Sequence, residues 1–196
     1  MLHYYEKEKL GFFHIPKTAG RSTMRAFGKI YGSSKSIYSV HGRHEPLVVV
    51  KELMGPEFDS TRLVTVIRNP YDLAVSHYFW IRRDPSLKDK QSKINIELLK
   101  IYDLTFSQYI DWHCENWNSY KDWLFIDDKY PNIQILRFEN LQNDINNFVG
   151  ETVELEHLNR APRRKKGYKP YFNKKLYTKI TNKYKWCFDQ GFYIPE

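Results

Sequence analysis

The chain has 196 residues, a formal net charge of +8 and 41% hydrophobic residues. This length and composition predict a single globular domain over residues 1–196, and no apolar run is long enough to span a membrane. The first ten residues are charged and lack the apolar region of a signal peptide, so we expect a soluble, cytoplasmic protein or a domain trimmed from a longer one.

The positive charge is concentrated near the carboxyl terminus. Residues 160–188 contain eleven Lys and Arg residues and no acidic residue. A local basic excess of this kind suits an anionic ligand, such as the phosphates of a cofactor, an acidic glycan or a nucleic acid.

The first motif occupies residues 11–31. Residues 11–15 are predicted to form a short buried strand, and Met24, Phe27 and Tyr31 have the spacing of an amphipathic helix. The loop between strand and helix contains a lysine, a glycine and several hydroxyl residues. Such a loop directs backbone N–H groups and the helix dipole at one point, which favours a phosphate or sulfate. The alternative is an ordinary strand–turn–helix connection with Ser22 as the N-cap.

The later segments repeat the strand–loop–helix plan. Asn69 is a good N-cap and Pro70 a good first helical residue after the buried strand at 62–68. Further strands are predicted at 36–40 and 132–138, and further helices at 45–54, 70–82, 106–117, 141–149 and 176–188. This alternation predicts a parallel sheet flanked by helices. The weakly patterned segment 83–105 is interpreted as an insertion on the substrate side of the domain.

The loop differs from that of nucleoside triphosphatases. Their G-x-x-x-x-G-K-[ST] pattern would require a glycine where Ile15 stands, and here Lys17 precedes Gly20. In addition, the strand at 63–67 is followed by Arg68 and not by the aspartate that would hold Mg²⁺. Both departures count against the rival interpretation, a P-loop kinase, which a requirement for Mg²⁺ would favour.

Residues 16–23 resemble the loop of sulfotransferases that use 3′-phosphoadenosine 5′-phosphosulfate (PAPS), Pro-Lys-[Thr/Ser]-x-[Gly/Ser]-x-[ST]-[ST]. The nearest likeness is to the glycan sulfotransferases of the heparan-sulfate 2-O and 6-O type and their bacterial relatives. The resemblance implies an α/β, P-loop-like three-layer fold with a central parallel sheet flanked by helices. It also implies that the 5′-phosphosulfate is held by Lys17, Thr18, Ala19, Gly20, Arg21, Ser22 and Thr23.

Two further segments resemble this family. Its members bind the 3′-phosphate through an Arg at a strand end and a Ser eight residues later, which corresponds here to Arg68 and Ser76. The alternatives are a surface salt bridge for Arg68 and a simple helix-face hydroxyl for Ser76. Residues 163–168 resemble a basic segment that also touches the 3′-phosphate, which would assign Arg164, Lys165 or Lys166.

The acceptor hydroxyl needs a general base. The resemblance places a histidine after the second predicted strand, where His41 and His44 both stand, and His44 is preferred. It directly precedes the predicted helix start at Glu45 and Pro46, where the dipole disfavours imidazolium. Glu45 is a further candidate. His14 is interpreted as a packing residue, and no partner is predicted for His77 or His113.

The resemblance implies an enzyme that moves a sulfuryl group in line from PAPS to a hydroxyl and releases PAP without a metal. Lys17 would steady the bridging oxygen. We expect an acceptor substrate, preferably a carbohydrate, and neither nucleic acid nor a membrane as partner. The rivals are a P-loop kinase and a non-catalytic binder of anionic glycan or nucleic acid through residues 160–188.

Overall fold

The computed structural model describes residues 1–38, 44–83, 100–156 and 167–196. The chain forms two compact units, Met1–Arg68 with Tyr120–Asn159, and Asn69–Ser119 with Arg160–Glu196. Within the described ranges, no helix combines the length and apolar character needed to cross a bilayer. Most of the predicted insertion, residues 84–99, lies outside the described residues.

The first unit is built on a mixed sheet. Its described residues form five strands in the order β3-β1-β2-β4-β5. Strands β2, β4 and β5 are parallel, whereas β1 is antiparallel to both β2 and β3. The strands are β1 (Leu2–Tyr5), β2 (Leu10–Phe13), β3 (Lys35–Ile37), β4 (Arg62–Ile67) and β5 (Ile133–Arg137).

The described α-helices follow the predicted plan, except that the short helix at Tyr120–Leu124 was not predicted. In chain order they are α1 (Gly20–Tyr31), α2 (Leu47–Met54), α3 (Pro70–Ile81), α4 (Phe106–Asn116), α5 (Tyr120–Leu124), α6 (Leu141–Val149), α7 (Lys174–Lys183) and α8 (Lys185–Asp189). The predicted α/β fold, with a mainly parallel core flanked by helices, is confirmed.

Three other details of the prediction are wrong. Strand β1 was not predicted. Both of its faces are buried, so it lacks the alternation of polar and apolar residues that indicates a strand, and the charged residues that follow it belong to the turn before β2. The strand predicted at 36–40 corresponds to β3, at 35–37, which is antiparallel and at the edge of the sheet; residues 39 and 40 lie outside the described residues. The helix predicted at 176–188 is divided at Tyr184 into α7 and α8.

The core of the first unit lies between the sheet and helices α1 and α6. Phe12 of β2 and Val64 of β4 are fully buried there. They pack in one cluster with Phe27 of α1 and with Ile145 and Phe148 of α6. Burial of these side chains fixes α1 against the sheet, and α1 begins at the end of the loop that follows β2.

The parallel register brings the carboxyl ends of β2 and β4 side by side. Phe13 pairs with Thr65, and the Thr65 hydroxyl donates a 2.7 Å hydrogen bond to the Phe13 carbonyl. The loop after β2 therefore leaves the sheet at the same edge as Arg68, which comes directly after β4. This is the edge where ligands bind in sheets of this kind.

The second unit contains α3, α4, α7 and α8. Helix α3 begins as predicted, with the Asn69 side chain accepting hydrogen bonds from the Tyr71 and Asp72 amides. Helix α4 begins with a capping box between Thr105 and Gln108.

A buried hydrogen-bonded chain of histidines and tyrosines joins the helices of the second unit. The Tyr109 hydroxyl lies 2.9 Å from His77 Nδ1 and 3.1 Å from His113 Nδ1. His113 Nε2 lies 3.0 Å from the Tyr184 hydroxyl. These contacts correct the sequence-based view that His77 and His113 have no partners. The contacts of His77 with Tyr109 and of His113 with Tyr184 join residues far apart in the sequence, whereas Tyr109 and His113 are four residues apart on α4, a helical spacing that the sequence-based view overlooked.

Candidate functional site

The loop between β2 and α1 leaves the start of α1 without a side-chain cap. The residue at the cap position is Ala19, which has no side-chain oxygen, and the helix begins at Gly20. Ser22 is already the third helical residue, so the alternative in which Ser22 is the N-cap is wrong. The first amides of a helix have no acceptor within the helix and carry its partial positive charge.

The loop backbone has an uncommon conformation. Lys17 has φ = 70° and Ala19 has φ = 66°, both in the left-handed region. Residues with a Cβ atom rarely adopt this region, and they do so mainly where the surrounding structure holds them. A left-handed residue on each side of Thr18 curls the loop into a concave backbone segment of the kind that binds anions.

Two hydroxyl groups support this backbone from inside. The buried Thr18 hydroxyl donates to the Ile15 carbonyl at 2.8 Å, and the Thr23 hydroxyl donates to the Ala19 carbonyl at 3.3 Å. Both hydroxyl protons are therefore used in hydrogen bonds that stabilise the loop backbone. Backbone amide groups at a helix start are the kind of donor that suits an anionic ligand.

Gly20 is required by a close approach of an imidazole ring. A Cβ atom at this position would lie 2.5 Å from Cγ of His14. The His14 ring in turn meets the ring of His44 edge to face, with centroids 5.0 Å apart. His44 is exposed. The preferred base and the start of α1 are therefore linked through His14.

Two histidines beside the loop, His14 and His3, resist protonation. Burial, together with the charge of His44, holds the pKa of His14 well below its ordinary value. Burial also lowers the pKa of His3, a neighbour of His14, to about 4. Both rings are neutral near pH 7, so they add no positive charge around His44 there.

Arg68 lies under the loop and is only 6% exposed. Its Nη1 atom donates a 3.0 Å hydrogen bond to the Lys17 carbonyl, and its guanidinium carbon lies 3.9 Å from the centre of the Phe138 ring. The Tyr120 hydroxyl accepts from the Arg68 amide and donates to the Arg68 carbonyl. A surface salt bridge for Arg68 is excluded by this burial.

The structure brings several predicted residues together in the first unit, namely the loop 17–23, His44 and Arg68. Arg21 is exposed on the first turn of α1. Ser76 is buried on α3 in the second unit. Four predicted site residues lie outside the described residues, and their roles remain predictions: His41, Arg164, Lys165 and Lys166.

The sequence did not indicate the residues that fix Arg68. Tyr120 is 52 positions away along the chain, and no local pattern connects the two. Phe138 is the last residue of the strand predicted at 132–138, but nothing in that segment points to Arg68. Only the parallel pairing of β4 with β5 brings it near.

Comparison with known families decides the class of protein. A family model described as a sulfotransferase domain matches residues 35–160, which is more than half of the chain. The chain belongs to the sulfotransferase family. The sulfotransferase match includes β4, Arg68 and Ser76, whereas the loop at 16–23 precedes it. No curated protein and no solved structure matches the chain.

Proposed function

We propose that the chain is a PAPS-dependent sulfotransferase that transfers a sulfuryl group to a hydroxyl of a carbohydrate, with His44 as general base. Family membership supports sulfuryl transfer in general. The observation that carries the choice of PAPS is the uncapped start of α1, preceded by the left-handed residues Lys17 and Ala19. The preference for a carbohydrate rests on the likeness of the loop to glycan sulfotransferases.

The donor set of the loop fits an anionic cofactor. Amide groups at a helix start, a concave backbone segment and the Lys17 ammonium group all favour phosphate or sulfate oxygens. When bound, PAPS supplies the activated sulfuryl group. Lys17 places a full positive charge where negative charge develops on the leaving side. Ser76 remains a sequence-based prediction for the 3′-phosphate.

His44 is accessible to an acceptor. The residue is exposed, and its ring contacts the His14 ring edge to face. Helix α2, predicted at 45–54, begins at Leu47, three residues after His44. A neutral imidazole here accepts the proton of an acceptor hydroxyl. Glu45, which is partly buried, is the alternative base.

Thermal unfolding with added nucleotides tests the cofactor. PAP at about 100 times its Kd should stabilise the protein by about 2.7 kcal/mol, which raises Tm by about 5–10 °C for a chain of this size. The effect should persist in the presence of a chelator, because Lys17 and the amides need no metal. Mg-ATP should do less. Equal or greater stabilisation by Mg-ATP would contradict the proposal and favour a kinase.

A transfer assay tests the acceptor separately. Radiolabelled PAPS is incubated with sulfated and unsulfated glycosaminoglycans and with a phenol as a non-carbohydrate control. Label on the glycans supports the carbohydrate acceptor, whereas label on the phenol alone would contradict it and leave the cofactor proposal intact.

A further inference from the structure

We infer that His14 is a positioning residue, which fixes the orientation of the His44 imidazole and its distance from the start of α1. This inference rests on the proposed function, because it assumes that His44 is the general base and that the start of α1 holds the sulfuryl donor. It gives His14 a role beyond packing, which is all that the sequence indicated for this residue.

A general base must be held in place to be effective. Misplacing a reacting group by about 1 Å can lower a rate about 100-fold, because the proton passes along a short, directed hydrogen bond. His44 is exposed, and the torsion that turns an imidazole about its Cβ–Cγ bond has only broad energy minima. Catalysis by His44 therefore requires a contact that restrains its ring in one orientation.

His14 is suited to provide this restraint, because it is itself held at several points. Its backbone amide donates a 2.9 Å hydrogen bond to the Met1 carbonyl, which continues the pairing of β2 with β1. Its ring is stacked on that of Phe12, with centroids 6.2 Å apart, and lies 6.3 Å from the ring of His3. One edge of the ring faces α1, since a Cβ atom at Gly20 would overlap Cδ2 and Nε2 of His14.

The contact between the two imidazoles is nearly perpendicular. The rings of His14 and His44 meet edge to face, with centroids 5.0 Å apart and an angle of 85° between their planes. This is a favoured arrangement of aromatic rings, and rotation of His44 about its Cβ–Cγ bond would disrupt it. Since the lowered pKa of His14 keeps its ring neutral near pH 7, the restraint acts through shape and not through charge.

His14 also determines where the base lies relative to the donor. The same ring contacts His44 and Gly20, the first residue of α1. In-line transfer requires the acceptor oxygen, together with its base, to approach the sulfur from the side opposite the leaving oxygen. His14 thus acts as a spacer between the base and the amides proposed to bind the donor, and the missing side chain at Gly20 permits the close approach.

Two substitutions of His14 separate this role from simple packing. Leucine lacks a flat ring, whereas phenylalanine keeps a flat, neutral ring without the nitrogens. His14→Leu should lower kcat about 10- to 100-fold, the cost of a misplaced base. Its affinity for PAP should stay within about threefold of the wild type, because other contacts hold the loop. His14→Phe should restore kcat to within about fivefold, since ring shape is what matters.

Three results of these measurements would overturn the inference. An unchanged kcat in His14→Leu would show that the base needs no restraint from His14. Equal losses in the leucine and phenylalanine variants would mean that a nitrogen of His14 is required. A loss of PAP affinity as large as the loss in kcat would make His14 a support of the loop.

His3→Leu is the matched control. His3 is buried in the same cluster and its pKa is likewise lowered, to about 4. Its ring is stacked on Phe12 and its Nδ1 lies 3.4 Å from the Ser36 hydroxyl, whereas the edge-to-face contact with His44 belongs to His14. His3→Leu should therefore keep kcat within about threefold of the wild type. A loss equal to that of His14→Leu would contradict a specific role for His14.

Removal of the base tests whether His14 acts through it. In the His44→Ala background, His14→Leu should lower the remaining activity by less than about twofold, because residues that act as one unit have non-additive effects. A further loss of about tenfold or more would overturn the inference. Near-normal activity of His44→Ala alone would instead refute the proposed base.

Nuclear magnetic resonance of the ligand-free protein gives a readout that does not depend on activity. The Cδ2–H bond of His44 should have an order parameter near about 0.85 in the wild type and in His14→Phe, and below about 0.6 in His14→Leu. An unchanged order parameter in His14→Leu would overturn the inference. If this variant does not fold, His14→Gln, which also lacks a ring, takes its place. A wild type without sulfuryl transfer would refute the proposed function, while the order parameter would still decide whether His14 restrains His44.

Discussion

The contact between Gly20 and His14 gives a quantitative test of the loop structure. In Gly20→Ala the new Cβ atom would overlap the His14 ring, with Cγ only 2.5 Å away. The ring cannot retreat easily, because it also packs against His44 and Phe12. Overpacking of this kind costs about 1–3 kcal/mol, and the better helix propensity of alanine offsets up to about 1 kcal/mol of it. With the full offset, the net loss in the free energy of unfolding is about 0–2 kcal/mol.

Gly28→Ala is the matched control on the same helix. A Cβ atom at Gly28 would meet no atom within 4 Å. The substitution should therefore stabilise the protein by about 0.5–1 kcal/mol through helix propensity alone. Urea unfolding of both variants, monitored by circular dichroism, compares the same substitution at two positions. The changes in the free energy of unfolding are expected to have opposite signs.

A double-mutant cycle with His14→Ala identifies the cause. Without the imidazole, the Cβ atom at position 20 meets no ring, so Gly20→Ala should become neutral or stabilising. The coupling free energy should then be about 1–3 kcal/mol, which lies within the range of roughly 0.5–3 kcal/mol for residues in contact. A coupling within about 0.5 kcal/mol of zero, or a stabilising effect of Gly20→Ala in the wild-type background, would refute the close approach and the packing of His14 against α1.

Three other predictions follow from the site and from the buried histidines. Lys17→Ala should lower kcat more than it weakens PAP binding, because its charge matters most as the leaving oxygen gains charge; equal effects in kinetics and calorimetry would contradict this. His44→Ala should lose activity by about 10²–10⁴ and keep PAP affinity, and near-normal turnover would move the base to His41 or Glu45. Burial lowers the pKa of His113 from 6.5 to about 3, so the unfolded chain binds a proton that the folded chain excludes across that range. The free energy of unfolding should therefore fall by up to about 1.4 kcal/mol for each pH unit below 6.5, with a shallower slope in His113→Gln; equal slopes in urea titrations would contradict this.

Local features of the fold were predictable because their causes are close together in the sequence. The cap of α3 lies within four residues, from Asn69 to Asp72, and its hydrogen bonds were expected from residue types alone. Strand β4 was equally clear, since it is a continuous apolar run whose residues after Arg62 are all buried. Both features depend only on residues that are close together in the sequence.

The support of the loop could not be predicted, because it depends on contacts between distant segments. Arg68 meets the Lys17 carbonyl across 51 positions, and this contact exists only because β2 and β4 are parallel and in a particular register. The motif identified Lys17 and Arg68 as residue types that suit anions. It could not show that the guanidinium of one faces the backbone of the other.

The chain of His77, Tyr109, His113 and Tyr184 has a consequence for the placement of its protons. Each tyrosine hydroxyl has one hydrogen, and a neutral His113 has one N–H. The three hydrogen bonds of the chain can therefore be formed together in only two ways. In one, Tyr184 donates to His113, His113 to Tyr109 and Tyr109 to His77; in the other, every donor and acceptor is exchanged. The tautomer of His113 thus dictates that of His77, and the two rings behave as one unit with two states. Nitrogen chemical shifts of the two imidazoles should accordingly report the same direction of donation, although the rings are 36 positions apart in sequence.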